Sequence, residues 1–222
     1  MIDRPVTDLS TEPATRAQPP RRLGRPKDVA SAETHERLLG VARRAFAQNG
    51  FDATTNKNIA DAAGITTGAI YHYYTSKAEL YAAVYAQVQD IVYGEFEKSV
   101  AEHDTLFTQF GAVLDAAVEL NRHDPTIAGF VVGVAGEAQR HPELMTLLEP
   151  GRDERGRFLS RLVAEANQRG ELAAGVSVEA LTDLLNAVLS GLARFSNHTG
   201  DSHRHEQAVA VLKRFLNGTL TR

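Results

Sequence analysis

From about residue 31 onward, apolar residues return every three to four positions, the period of a helix seated on a core. Leu38, Leu39, Ala42, Ala45 and Phe46 form the first such face. Gly50 closes that helix, because glycine adopts the left-handed conformation at a helix C-terminus, and Phe51 is placed to fold back on the last turn. Thr55 is an N-cap residue for a short helix over 56–62, with Ile59, Ala60 and Ala63 inward and Gly64 as its stop. Thr66 caps a second short helix over 67–73. Ser76 with Glu79 three residues on is a capping box that opens a long helix, 76–97, lined by Leu80, Val84, Val88 and Ile91. Further helices are predicted over 104–121, 125–139, 142–168, 178–197 and 204–219, with Pro125 and Pro142 at first-turn positions. Two of these carry strong stripes: Leu181, Leu184, Leu185, Val188, Leu192 and Phe195, then Ala208, Val211, Leu212, Phe215 and Leu216. No strand alternation of any length interrupts the pattern, so the fold class is all-α.

Two short helices joined by a glycine turn, behind a longer first helix, describe a helix-turn-helix unit whose second helix enters a DNA major groove. The composition of 64–80 suits that surface. Thr66 and Thr67 offer hydroxyls at a helix N-terminus, where backbone amides also attract phosphate. Gly68 removes a side chain at the point of closest approach, and Ala69 presents a methyl that fits against a thymine methyl. Tyr71, His72 and Tyr73 reach phosphates or base edges, while Ile70 and Tyr74 turn inward. Lys77 supplies a point charge for a phosphate.

Charge changes the picture at the front of the chain. The net charge is −4, yet residues 1–80 carry 11 Lys and Arg against 9 Asp and Glu, and the remainder 13 against 19. Residues 16–27 hold Arg16, Arg21, Arg22, Arg25 and Lys27 and no acid. Residues 1–27 lack apolar periodicity and read as a disordered arm, which sets domains of 1–30 (flexible basic arm), 31–78 (helix-turn-helix) and 79–222 (helical remainder).

The segment from Thr55 to Leu80, with Ile59, Ala60, Ala63, Gly64, Ile65, Thr66, Gly68, Ile70, Tyr71, Tyr73, Tyr74, Ser76 and Lys77 in place, resembles the signature of TetR-family transcriptional regulators. Asn56 and Asn58 depart from it, standing where an apolar residue and a capping Glu are usual. The resemblance implies an all-helical homodimer with an N-terminal DNA-binding domain and a C-terminal domain for ligand binding and dimerisation. It implies that Thr55, Thr67, Gly68, Ala69, Tyr71, His72, Tyr73 and Lys77 face DNA. It further implies that the last two long helices pair into a four-helix bundle, here through Leu181, Leu185, Val188, Leu192, Phe195, Val211, Leu212 and Phe215. Within the arm, Gly24-Arg25-Pro26-Lys27 resembles the centre of an AT-hook, a segment that enters the minor groove, which adds Arg25 and Lys27 to the DNA-facing set.

Other chemistry finds little purchase. The chain has no cysteine, which removes disulfides, thiolate zinc sites and thiol nucleophiles. The longest apolar run, 127–136, is too short for a membrane span, and the first residues lack the apolar core of a secretory signal, so a cytoplasmic protein is expected. His198, His203 and His205 match no zinc spacing and read as a solvated loop. Gly129, Gly133 and Gly136 follow no strand, so they suit close helix packing or ligand room rather than a phosphate loop. No catalytic set, cofactor or metal site emerges.

A regulator needs a second input. The middle segments offer an apolar cavity wall, with Phe110, Phe130, Val134, Leu148, Phe158 and Leu162 as candidates beside Ile127 and Val131. Glu137, Asn186 and Ser190 are the polar groups placed to orient a ligand. The expectation is a homodimeric repressor that binds a pseudo-palindromic double-stranded operator and is released or modulated by a small, apolar effector. The competing reading is an architectural DNA-binding protein that ignores ligands.

Overall fold

The computed structural model describes residues 27–220, with side chains described over 31–149 and 157–220. These residues form nine helices and no strand: α1 (Lys27–Ala53), α2 (Asn56–Ala63), α3 (Thr67–Tyr73), α4 (Lys77–Val100), α5 (Leu106–His123), α6 (Pro125–Arg140), α7 (Pro142–Gln168), α8 (Val178–Thr199) and α9 (Ser202–Leu216). None of them is long and apolar enough to cross a membrane.

Local chemistry sets most boundaries. Gly50 breaks α1 at φ 76, and Phe51 folds back so that its ring lies 6.1 Å from that of Phe46. Thr55 Oγ1 accepts the Asn58 N–H at 3.1 Å, Gly64 ends α2 at φ 66, and Thr66 Oγ1 accepts the Ala69 N–H at 3.2 Å. The capping box at α4 is shifted by one residue. Ser76 Oγ accepts the Glu79 N–H at 3.1 Å, but the Glu79 carboxylate reaches back to the Thr75 N–H and hydroxyl, both at 2.8 Å. These bonds to the charged form hold the Glu79 pKa below its ordinary value. At the other end, Gly200 stops α8 at φ 60 and Asp201 Oδ1 caps the His203 and Arg204 N–H groups. The last helix therefore starts two residues earlier than its apolar stripe alone suggests.

Two apolar cores lie along α4. One gathers Leu38, Ala42, Phe46 and Phe51 of α1, Ile59 of α2 and Ile70 of α3 around Leu80, Tyr81 and Val84. It continues without a gap into Phe130 and Val134 of α6 and Leu144 and Leu148 of α7. The Tyr81 ring stands 4.9 Å from both Phe46 and Phe130, so one aromatic stack joins α1, α4 and α6. Burial of Tyr81, reinforced by the Glu137 charge, pushes its phenol pKa far up. The second core packs Tyr93, Phe96 and Val100 of α4 against Phe110 and Leu114 of α5, Phe158 and Leu162 of α7, Leu185 of α8 and Val209 of α9. The sequence boundary at 78/79 thus falls inside a core. The head formed by α1–α3 has no apolar interior separate from α6 and α7.

Polar contacts fasten the same seam. Arg43 of α1, 7% exposed, pairs with Asp124 at the N-terminus of α6 and donates to Thr126 Oγ1 at 3.3 Å. Burial alone would raise the Asp124 pKa. The Thr126 hydroxyl and the Arg43 charge outweigh it and hold the carboxyl below its usual range.

Candidate nucleic-acid interface and ligand cavity

The tip of α3 projects into solvent. Thr66, Gly68, Tyr71 and His72 are exposed, Tyr71 by 54%, while Thr67 and Ala69 are half-buried. Ile70 points the other way and is fully buried, which anchors the helix by its inner side. Thr55, exposed at the start of α2, borders this surface. A Cβ placed on Gly68 would meet nothing closer than Thr66 Oγ1 at 3.8 Å. Packing within the chain therefore does not demand glycine there.

Two of the tyrosines are held from behind by α1. Tyr73 is half-buried, shares a 2.9 Å hydrogen bond with Ser31 Oγ and lies 5.1 Å from the His35 ring. Tyr74 Oη bonds His35 Nε2 at 2.7 Å, and burial, with Tyr73 beside it, raises its phenol pKa. Ser31 and His35 were invisible as site residues in the sequence, because no local pattern links them to positions some forty residues on.

Lys77 departs from its expected role. Its ammonium turns inward and donates to the carbonyls of Phe51 at 2.6 Å, Thr54 at 3.0 Å and Asp52 at 3.4 Å, while standing 4.2 Å from the centre of the Phe51 ring. It closes the C-terminal end of α1, where free carbonyls and the helix dipole favour a cation. The ammonium is engaged with backbone carbonyls of its own chain rather than held out toward a phosphate. Arg25 lies outside the described residues, and Lys27 is described only as the first residue of α1.

The expected pocket residues do not come together. Phe130, Val134 and Leu148 belong to the first core, and Phe110, Phe158 and Leu162 to the second. Glu137 is buried at the α1–α6 seam, where Oε1 accepts the Phe51 N–H at 3.1 Å. A cavity of about 110 Å³ does open, between the two cores. Val92, Tyr93 and Phe96 of α4 and Ile127, Ala128 and Val131 of α6 line its apolar walls. Its polar lining is Asn121, Asn186, Ser190, Ser196 and His205. Asn186 alone of the expected pocket set is here, with Ser190, Ile127 and Val131 from the wider reading. Helical period marks which residues face inward but not which inward residues lack a neighbour, so the cavity was not readable.

The histidine-rich segment also reads differently in three dimensions. His198 and His203 are exposed, whereas His205 sits on α9 and is 2% exposed. Among the described residues the one metal-sized grouping is Asp52, Glu137 and His141, whose ligand atoms lie within 4.8 Å of one another. The Arg140 guanidinium stands 2.9 Å from Glu137 Oε2, so a positive charge already faces that carboxylate. His141 Nε2 is 3.2 Å from Asp52 Oδ1, and the group ties the end of α1 to the end of α6.

The expected interface stripe divides. Leu185 is buried, and Leu181, Val188, Leu192 and Leu212 pack partly against the second core of their own subunit. Phe195 is half-buried. Phe215, Leu184, Val211 and Leu216 are the large apolar groups of α8 and α9 that stand out in solvent, Phe215 by 64%.

A three-helix head with an exposed third helix, fused to a helical body that contains a cavity, is the architecture of a DNA-binding transcriptional regulator. Comparison with known proteins agrees. Residues 38–84 match the model of bacterial regulatory proteins of the tetR family, and residues 108–221 match that of the BetI-type transcriptional repressor C-terminal domain. The chain belongs to the tetR family. It is 24% identical over 192 residues to the HTH-type transcriptional regulator UidR of Escherichia coli K12, covering 85% of this chain and 93% of that protein. Salmonella enterica GusR shares the fold with a TM-score of 0.66 and 27% identity, over 85% of this chain and 95% of that one. FadR from Bacillus subtilis, solved in complex with stearoyl-CoA, superposes with a TM-score of 0.74 at 16% identity, over 84% of this chain and all of that one.

Proposed function

We propose that this protein is a homodimeric repressor that reads a two-fold symmetric operator with α3 and releases it when an effector enters the cavity between α4 and α6. The observation that carries the reading is the exposed Gly68 on an otherwise well-anchored helix. The position is open for reasons that lie outside the chain, and close approach of a nucleic-acid backbone is such a reason. Thr66 and Thr67 then contact phosphate at the helix N-terminus, and Tyr71 and His72 reach the groove. The basic arm, with Arg25, adds minor-groove contact beside Lys27 at the start of α1, and its removal lowers both operator affinity and the salt dependence of binding.

Two helices that line the cavity also touch the head. α4 contributes Val92, Tyr93 and Phe96 to the cavity, and its first residue Lys77 holds the end of α1. α6 contributes Ile127, Ala128 and Val131, and its last turn carries Glu137 on the Phe51 amide. A ligand that parts α4 from α6 shifts the head, and with it the spacing of two reading helices in the dimer. Leu184, Val211, Phe215 and Leu216 supply the apolar face that meets the second copy. Selection of bound sequences from random DNA tests the reading. A two-fold symmetric motif with half-sites about one helical turn apart supports it, and weak preference without symmetry refutes it.

A further inference from the structure

The cavity wall contains no Asp, Glu, Lys or Arg. Its polar groups are two asparagines, two serines, a histidine and the phenol of Tyr93. Two of them are nearly sealed from solvent and each has an atom with no hydrogen-bond partner: Oδ1 of Asn121, a residue 5% exposed, and Nδ1 of His205, 2% exposed. An unpaired buried polar atom is costly, and a ligand group of the right kind recovers that cost. A ligand charge would cost far more, because nothing in the wall offsets it. His205 cannot offset an anion either: burial pushes its pKa below the ordinary 6.5, so the ring is neutral at neutral pH.

The two unpaired atoms also define which neutral group fits. An amide oxygen only accepts. An imidazole Nδ1 donates or accepts according to its tautomer. A ketone or ether has no proton for Asn121. A hydroxyl both donates and accepts, and so serves either atom in either state. Resting on the reading of this cavity as the effector site, we propose that its ligand is an uncharged, mostly apolar molecule carrying at least one hydroxyl group, seated against Asn121 and His205.

The test uses the full chain with three probes of one chain length: 1-octanol, octanoate and octylammonium. Calorimetry reads binding, and anisotropy of a labelled, selected operator reads release. Octanol binds at least about tenfold more tightly than either ion, the ratio that one buried polar pairing commands. Asn121→Leu and His205→Leu each weaken octanol by a similar factor. The ligand-free Asn121→Leu protein melts no lower than the wild type, because the substitution removes an unpaired polar atom; a purely structural asparagine would give a lower melting point. The proposal is overturned if octanoate or octylammonium binds as tightly as octanol, if both variants keep full octanol affinity, or if none of the probes binds. Octanol that binds through Asn121 and His205 yet leaves the operator complex intact supports the cavity chemistry and refutes the cavity as effector site. Octanoate that releases the operator where octanol does not refutes the hydroxyl ligand and leaves the regulator reading standing.

Discussion

Glu137 of α6 accepts the backbone N–H of Phe51 through Oε1 at 3.1 Å, 86 residues away along the chain. The bond sits where Gly50 interrupts α1, and a Cβ on Gly50 would stand 3.0 Å from the same oxygen. Glycine is therefore needed twice there, for its positive φ and for the carboxylate it admits. Glu137→Ala leaves a buried amide without an acceptor and lowers stability by about 1–3 kcal/mol. Glu137→Gln keeps an acceptor and loses less. Urea unfolding of the two variants checks the order; equal losses would show that the ion pair with Arg140, not the amide bond, carries the stability.

Lys77 separates two roles cleanly. Its ammonium saturates the carbonyls of Phe51, Thr54 and Asp52. Lys77→Met keeps the apolar stem but abandons those carbonyls, at a cost of about 1.5–3 kcal/mol. The slope of log affinity against log salt stays as in the wild type, since no phosphate contact is lost. A phosphate-binding lysine would instead reduce that slope by about 0.9.

Gly68→Ala is expected to move stability and binding in opposite directions. Alanine is the better helix former by about 0.8–1 kcal/mol, and the space beside it is free. Thermal unfolding should occur at a higher temperature while operator affinity falls by at least tenfold. Tyr71→Phe, at an exposed site, should leave the melting point unchanged and weaken every operator variant alike by about three- to tenfold, one hydrogen bond's worth. Unchanged affinity in both variants would remove α3 from the interface.

The capping chemistry of the head was legible in the sequence because it is local. Thr55, Gly64, Thr66 and Ser76 act on neighbours within four residues, and each does so in the structure. What escaped were relations across the chain. The stripe on 178–197 shows one apolar face, but the fold turns Leu185 inward and leaves Leu184 in water. Periodicity cannot rank two adjacent leucines on a helix whose apolar arc serves both its own core and the outside. Lys77 was read for its charge, since nothing nearby announced that carbonyls 23 to 26 residues earlier would close around it. His205 reads as a solvated residue at the start of the last helix, and nothing local announces that its ring is buried.

Phe215→Glu places a charge on the most exposed of the large apolar residues at the C-terminal end. In sedimentation equilibrium the variant should be monomeric at micromolar concentration where the wild type is dimeric. Its helix content should be unchanged, because Phe215 contributes to neither core. A wild-type protein that is itself monomeric, or a dimer indifferent to the change, would assign the second copy to another face.

Stability should also depend on pH through His205. Burial lowers its folded pKa below the unfolded 6.5, so the unfolded chain holds more protons between the two values. The stability tied to the neutral ring is complete above about 6.5 and declines as the pH falls from there to the lower, folded pKa. Melting temperatures measured from pH 8 to pH 5 should drop for the wild type and drop less for His205→Leu. Parallel curves would show that other groups set the acid limit.

The aromatic stack of Phe46, Tyr81 and Phe130 has a consequence for how such a protein can change. Severed after the third helix, the front piece would expose the flank of that stack to water, and the back piece would lose the rings it leans on. Each half holds only part of the stack. Grafting this head onto a foreign body would require re-cutting the joint residue by residue.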